Sequence, residues 1–232
     1  MGFVVLPALV ADISAVYDVY FAAFKDNAVT RALFPNTSTN DMANAGSEFR
    51  KAHTAHVSQY WAKDSTQYTL KCVDCETGEI VGMALWDIYL TPSQWRRPEL
   101  SWLEGGDRER AEALISPLWD AREKFWLDKR YLYCHVMAVH PSNQRKGIGE
   151  MLLNYGIGVA QQTELPIYIE SSREGKRLYE KVGCQRLKRP AVSQKILTNG
   201  KINGKKDDNE AMLFVWFPKG KEDALAKGIE LV

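Results

Sequence analysis

The chain has 232 residues, 45% of them hydrophobic, with 30 basic and 29 acidic side chains for a formal net charge of +1. That is enough apolar content for one sizeable core, and the balanced charge excludes a molecule-wide attraction to nucleic acid or to an anionic membrane surface. No run approaches the roughly 18 uninterrupted apolar residues of a membrane span, and the apolar opening lacks a basic stretch and soon reaches Asp12, so a soluble cytoplasmic protein is expected.

Phe3 to Leu9 reads as a first strand ending near Pro7. Asp12 then offers an N-cap to a helix whose apolar positions Ile13, Val16, Tyr17, Tyr20, Phe21 and Phe24 recur at helical spacing. Residues 27–40 carry the Pro35, Asn and Thr cluster of a loop, and Asp41 to Lys63 is helix-compatible with Gly46 as its weak point. Within it, His53-x-x-His56 lacks the spacing of a zinc protease and reads as a solvated helix face. Gln67 to Val73 and Glu79 to Tyr89 form an antiparallel hairpin around Thr77-Gly78. Cys72-x-x-Cys75 has no second pair, since Cys134 and Cys184 stand singly, so no metal is expected and reduced thiols are.

Leu90 to Arg110, with Pro92, Pro98 and Gly105-Gly106, precedes a helical segment from Asp107 to about Lys129 that Ser116-Pro117 interrupts. The expectation is one α/β domain over residues 1–232 with an insertion at about 90–128, and a flexible hairpin loop at about 192–210 before a last strand, Met212 to Phe217.

Tyr131 to Val139 is a β-branched and aromatic strand that breaks at His140-Pro141. It turns through Gln144-Arg145-Lys146-Gly147-Ile148-Gly149 into a helix over about 149–162, with Glu150 in the first turn. Two glycines let backbone N–H groups approach a ligand at a helix N-terminus, where the dipole favours negative charge, and Arg145 and Lys146 add cations beside them. The spacing is neither a Walker A nor a dinucleotide fingerprint. Pro166 to Glu170 is the next strand, Glu174 to Val182 the next helix with Gly183 as its C-cap, and Cys184 to Leu187 starts another strand.

The order Gln-x-x-Gly-x-Gly after Met137-Ala138-Val139-His140-Pro141 resembles the acyl-CoA motif of the GNAT superfamily of N-acyltransferases. Leu178-Tyr179-Glu180-Lys181-Val182-Gly183-Cys184 resembles that family's closing segment, with Cys184 where an aromatic is usual, and Pro166 to Gly183 is similar to puromycin N-acetyltransferases. The resemblance implies a mixed, mostly antiparallel, splayed sheet flanked by helices, and acetyl-CoA as co-substrate. It implies further that the pantetheine arm runs along Met137, Ala138 and Val139, and that the pyrophosphate sits on Arg145 to Glu150, with Gln144 and Ile148 in the same motif. Ser172 stands where many members have a pantetheine-contacting Asn.

Acetyl transfer from a thioester to an amine needs a held donor, a base and support for the leaving thiolate. His135, which alternation places on one face with Met137 and Val139, is the candidate base, and the arylalkylamine N-acetyltransferases of this superfamily carry a His at this place. Glu170, at a strand's C-terminal end, is the alternative base. Tyr179 matches the family tyrosine that serves the departing sulfur. With no Cys on the loop, direct transfer in a ternary complex is expected. Phe24, Phe34 and Trp86, with Phe21, Tyr89, Trp95, Trp102 and Trp119 as further aromatics, suit a closed pocket for a small-molecule amine. The alternatives are a protein or peptide acceptor, or a CoA-binding regulatory protein without catalysis.

Overall fold

The structure is a computed structural model that describes residues 2–61, 63, 66–188, 211–222 and 229–232. Its elements in chain order are β1 (Phe3–Pro7), a 3-10 turn (Val10–Asp12), α1 (Ile13–Phe24), α2 (Ala28–Leu33), α3 (Thr39–Ala43), α4 (Glu48–Trp61), β2 (Gln67–Asp74) and β3 (Ile80–Tyr89). There follow α5 (Gly105–Trp126), β4 (Tyr131–Val139), a 3-10 turn (Pro141–Asn143), α6 (Ile148–Thr163), β5 (Ile167–Ser171), α7 (Lys176–Lys181), β6 (Gln185–Arg186) and β7 (Met212–Trp216). This is a mixed α/β fold whose strands are mostly antiparallel. The expected hairpin loop at 192–210 lies outside the described residues. Among the described residues no helix is long and apolar enough to cross a membrane.

By internal contacts the chain divides into two compact units, Met1–Ile88 with Tyr133–Val159, and Tyr89–Leu132 with Ala160–Val232. In the first, β1, β2 and β3 pair antiparallel in series, and β4 follows β3, with the His140 N–H donating to the Val81 carbonyl at 2.9 Å. One face of this sheet packs on α1: Val16 and Val19 close over Met83, Leu85 and Ala138, with Tyr17, Phe24 and Val136 against them. The other face receives α6. An ideal Cβ at Gly82 would lie 2.6 Å from Ile148 Cγ2, and one at Gly156 would lie 2.3 Å from Trp86 Cη2, so helix and strand meet where one side lacks a side chain.

The helices before β2 differ from expectation for local reasons. Asp12 stands at the N-cap of α1 as expected, but its side chain makes no capping bond; its Oδ2 accepts from the Leu9 N–H at 2.7 Å and from Lys71 Nζ at 2.6 Å, tying the 3-10 turn to β2. The loop read over 27–40 contains α2, capped by Asn27, whose side chain accepts from the Val29 N–H at 2.9 Å. The helix expected from Asp41 breaks near Gly46 into α3 and α4, with Ser38 capping α3 and the Ser47 hydroxyl accepting from the Arg50 N–H. Pro117 does not interrupt α5: at helix interior it forgoes the bond to the Ala113 carbonyl, and the turns on either side carry the helix across.

His53 and His56 part company. His56 is exposed, whereas the His53 ring stands among Tyr17, Phe21, Phe34 and Phe49 with centroids 4.7–6.0 Å away. Below it Arg50 is 1% exposed, ion-paired to Asp18 at 2.7 Å and bonded to the Met42 and Ser14 carbonyls, which links α1, α3 and α4. Burial, then the Arg50 and His56 charges, lower the His53 pKa to about 4. A histidine that resists protonation when folded but takes a proton near pH 6.5 when unfolded contributes stability that is present above pH 6.5 and lost as pH falls toward 4. We expect about 2 kcal/mol of urea-measured stability to go over that window, and His53→Phe to flatten that part of the pH dependence; an unchanged slope in the variant would place the loss elsewhere.

The second unit pairs β5 with β7 and β7 with β6, all antiparallel, and the Leu132 N–H of β4 donates to the Pro166 carbonyl at the entry to β5. Its aromatic core stacks Trp126 on Tyr131 at 4.9 Å and Tyr131 on Tyr89 at 5.0 Å. Arg122 of α5, 4% exposed, donates to the Tyr131 and Tyr89 hydroxyls and lies 4.4 Å over the Trp95 ring. The region expected as an insertion is therefore anchored by its own aromatics, with Tyr89 and Trp95 engaged in that packing. All four cysteines are free thiols; Cys75 is exposed, and burial pushes the Cys72 pKa to about 11 and that of Cys184 to about 12.

Candidate active site

The segment from β4 to α6 has the geometry of an anion cradle. After Val139 the chain makes its 3-10 turn, the Gln144 side-chain amide donates back to the Val139 carbonyl at 3.2 Å, and Arg145 and Gly147 take positive φ of 64° and 86° on either side of Lys146. Such alternation of backbone hand points successive amides to one concave side. α6 begins at once with Ile148, 1% exposed in the sheet, so the helix start is held while Gln144 to Gly147 stay exposed. Gly149 and Glu150 complete the first turn, and the Met151 N–H already bonds to the Gly147 carbonyl at 3.1 Å. A pyrophosphate fits this donor set: helix-start amides, the helix dipole, and two exposed cations, Arg145 and Lys146.

On β4 the two-residue alternation slips. Val136 and Ala138 pack on the α1 face with Met83 and Leu85 of β3. His135 nevertheless lies on that same face, with Nδ1 3.9 Å from Oδ2 of Asp87, the next residue in the Met83–Leu85 series. The expectation that His135 shares a face with Met137 and Val139 is thus corrected: a one-residue phase shift at His135–Val136 turns its imidazole to the α1 side. The ring is 44% exposed, stacks on Tyr133 at 5.3 Å, and faces a carboxylate that is 7% exposed. Asp87 was not singled out in the sequence, although a lone carboxylate inside the apolar strand Ile80–Tyr89 is the pattern that marks a buried charge with a purpose.

In the second unit, Glu170 is half-buried near the end of β5, opposite Leu213 of β7. Ser172 is exposed just beyond the strand, and its carbonyl accepts from the Ser171 hydroxyl at 2.6 Å. Tyr179, on α7, is 6% exposed with its ring 5.7 Å from Phe214. α7 ends in a Schellman arrangement, with the Cys184 N–H bonded to the Tyr179 carbonyl and the Gly183 N–H to that of Glu180, Gly183 taking φ 88°. That closure fixes the helix that presents Tyr179.

The aromatic residues expected around an acceptor divide. Trp86, 2% exposed, lies against Gly156 and belongs to the core between β3 and α6. Phe24 is half-buried at the α1 cluster, and Phe34 is half-buried beside Phe21 and Phe49, with centroids at 6.0 and 5.1 Å. Among the described residues no cluster of three metal-ligating side chains is found.

This fold, with its strand–cradle–helix segment, is that of an acyl-transferring enzyme, and the chain belongs to the Acetyltransferase (GNAT) family, whose family model matches residues 38–184. It is 28% identical over 120 residues to the probable acyltransferase SID5 of Ajellomyces capsulatus, a match covering 50% of this chain and 82% of that protein. The solved structure of histone acetyltransferase HPA2 and related acetyltransferase from Corynebacterium glutamicum superposes with a TM-score of 0.58 at 25% identity, over 94% of this chain and 97% of that one. Arylalkylamine N-acetyltransferase 2 from Aedes aegypti shares the fold with a TM-score of 0.62 at 12% identity, over 94% and 99% of the two chains.

Proposed function

We propose that this GNAT acetyltransferase moves an acetyl group from acetyl-CoA directly to the primary amine of a small molecule in a ternary complex. The observation that carries the donor assignment is the cradle from Gln144 to Glu150, with its two left-handed residues and buried Ile148 at the start of α6. Met137, Ala138 and Val139 would line the pantetheine arm, and Ser172 holds the position that the family resemblance gives to a pantetheine-contacting residue. An acceptor ammonium gives a proton to His135, with Glu170 as the alternative base, and the amine lone pair forms the N–C bond. The thioester C–S bond then breaks, and the electron pair leaves on sulfur, which takes the Tyr179 hydroxyl proton; the attacking nitrogen gives up its second proton to solvent as the amide forms, Tyr179 recovers a proton from solvent, and His135 releases its own to solvent before the next turnover.

For the acceptor, the relatives pull in two directions: the Corynebacterium protein's name speaks of histones, the Aedes protein's of arylalkylamines. What supports a small amine is this chain's own supply of half-buried rings: Phe24, in the cluster with Val136 on the α1 face of β4, and Phe34, beside Phe21 and Phe49. Trp86 is left out of that wall because its ring is in the core.

The test is thiol release from acetyl-CoA with matched panels of aromatic amines, aliphatic amines and histone-like or N-terminal peptides. The reading expects kcat/KM at least about tenfold higher for the best small amine than for any peptide, about 1.4 kcal/mol of transition-state preference. Peptides favoured by a similar margin would make a protein the acceptor, and donor binding without turnover on any amine would make the protein a CoA-binding regulator.

A further inference from the structure

Asp87 is a carboxylate placed where an apolar residue would be the default. The residues before it on β3, Val81 to Trp86, are buried, its own side chain is 7% exposed, and burying a charge is costly unless a partner or a task compensates. The phase shift in β4 brings the candidate base to it: with unbroken alternation from Val136 and Ala138, Cys134 and not His135 would occupy this face. The nitrogen directed at Asp87 is Nδ1, and Tyr133 covers one face of the ring.

We propose that Asp87 is a positioning residue for His135, holding the imidazole with Nδ1 toward β3 and Nε2 toward the acceptor amine. This rests on His135 being the base in the reading above. A neutral imidazole has one N–H and one lone pair, and a carboxylate beside Nδ1 favours the proton there, which puts the lone pair on Nε2, the nitrogen that takes the ammonium proton. When that proton arrives, the imidazolium formed carries N–H on both nitrogens, and its charge is met across Nδ1 by Asp87. The 3.9 Å separation is an ion-pair distance, so the contact is strongest in the protonated state that follows proton abstraction. Titratable groups facing this side of the sheet include Asp87 from β3, Tyr133 from the same strand as His135, and Tyr17 of α1, which packs against the Val136 cluster. Burial pushes the Tyr17 hydroxyl pKa up from its ordinary value.

The sign follows. A neighbouring carboxylate favours imidazolium, so removing its charge lowers the pH at which His135 loses its proton. Profiles of kcat/KM against pH for the wild type, Asp87→Asn and His135→Ala, with the amine that gives fastest thiol release, test this. The expected result is that His135→Ala loses the acidic limb, whereas Asp87→Asn keeps it, displaced to lower pH, with a plateau about 10–100-fold down and the acetyl-CoA KM unchanged. A limb and plateau left in place by Asp87→Asn, while His135→Ala loses the limb, would overturn the role of Asp87 and leave His135 as base. A limb that survives in His135→Ala would overturn both. Nitrogen-15 NMR of the wild-type His135 ring, assigned by its disappearance in His135→Ala, guards against a variant that fails to fold: the Nδ1–H tautomer is expected in the neutral ring, and the Nε2–H tautomer would overturn the proposal.

Discussion

Gly147→Val is expected to weaken acetyl-CoA binding more than 100-fold in calorimetry while the protein remains folded. Gly147 sits at φ 86°, where an L-residue costs about 1–2 kcal/mol and a β-branched one more. An added Cβ meets no protein atom within 4 Å, so the cost is backbone strain and not a clash within the fold. The loop can then either keep its shape under strain or flip the 146–147 peptide. Flipping reverses an amide that the cradle aims at a ligand, and keeping the shape leaves a branched side chain on the exposed surface where a pyrophosphate would lie close to backbone. Both routes remove donor contacts, and neither disturbs Ile148, whose buried side chain seats the start of α6. Thermal unfolding should therefore shift by only a few degrees, consistent with about 1–2 kcal/mol in a chain of this size. Gly147→Ala should fall between the two. Unchanged affinity in the valine variant would move the donor site away from this loop.

The geometry behind that prediction is readable from residues alone because the loop's shape depends on backbone conformations that only certain residues adopt, and Gly147 takes one of them. The strands were legible for a similar reason: β2, β3, β4, β5 and β7 are runs of β-branched and aromatic residues whose ends fall at Gly, Pro or Asp signals. What escaped are features set by partners distant in sequence. α2 is six residues with β-branched members, too short to announce itself, and exists through the Asn27 cap. His53 looked like one of a solvated pair because the rings of Phe21, Phe34 and Phe49 that enclose it come from three different elements. The slip that brings His135 to Asp87 is a phase change inside a continuous strand, and periodicity read from either end misses it. Trp86 illustrates the reverse error. An aromatic near a strand end resembles a pocket wall until the glycine that accommodates it, seventy residues on, is known.

Gly156 and Gly158 are both interior to α6, and sequence reasoning treats them alike, as two places where the helix is weakened. The structure separates them. Replacing either by alanine should gain about 0.5–1 kcal/mol from reduced backbone entropy in the unfolded chain. At Gly158 nothing lies within 4 Å of the new Cβ, so Gly158→Ala is expected to stabilise by that amount. At Gly156 the new methyl would stand 2.3 Å from Trp86 Cη2 and 2.4 Å from Cζ2, and Trp86 is a rigid ring only 2% exposed. Either the indole leaves its rotamer or α6 lifts from β3, and overpacking of this kind costs about 1–3 kcal/mol and occasionally more. The contact here is closer than the other glycine approaches in this unit, which argues for the upper part of that range. Net of the helix gain, Gly156→Ala should destabilise by about 2–3 kcal/mol, seen as a fall of roughly 5–10 °C in Tm, while Gly158→Ala raises it by a few degrees. Because α6 carries the cradle at its N-terminus, lifting it should also weaken acetyl-CoA binding in Gly156→Ala and leave Gly158→Ala at wild-type affinity. Equal shifts in the two variants would mean that Trp86 does not pack on α6, and the assignment of Trp86 to the core would fail with it.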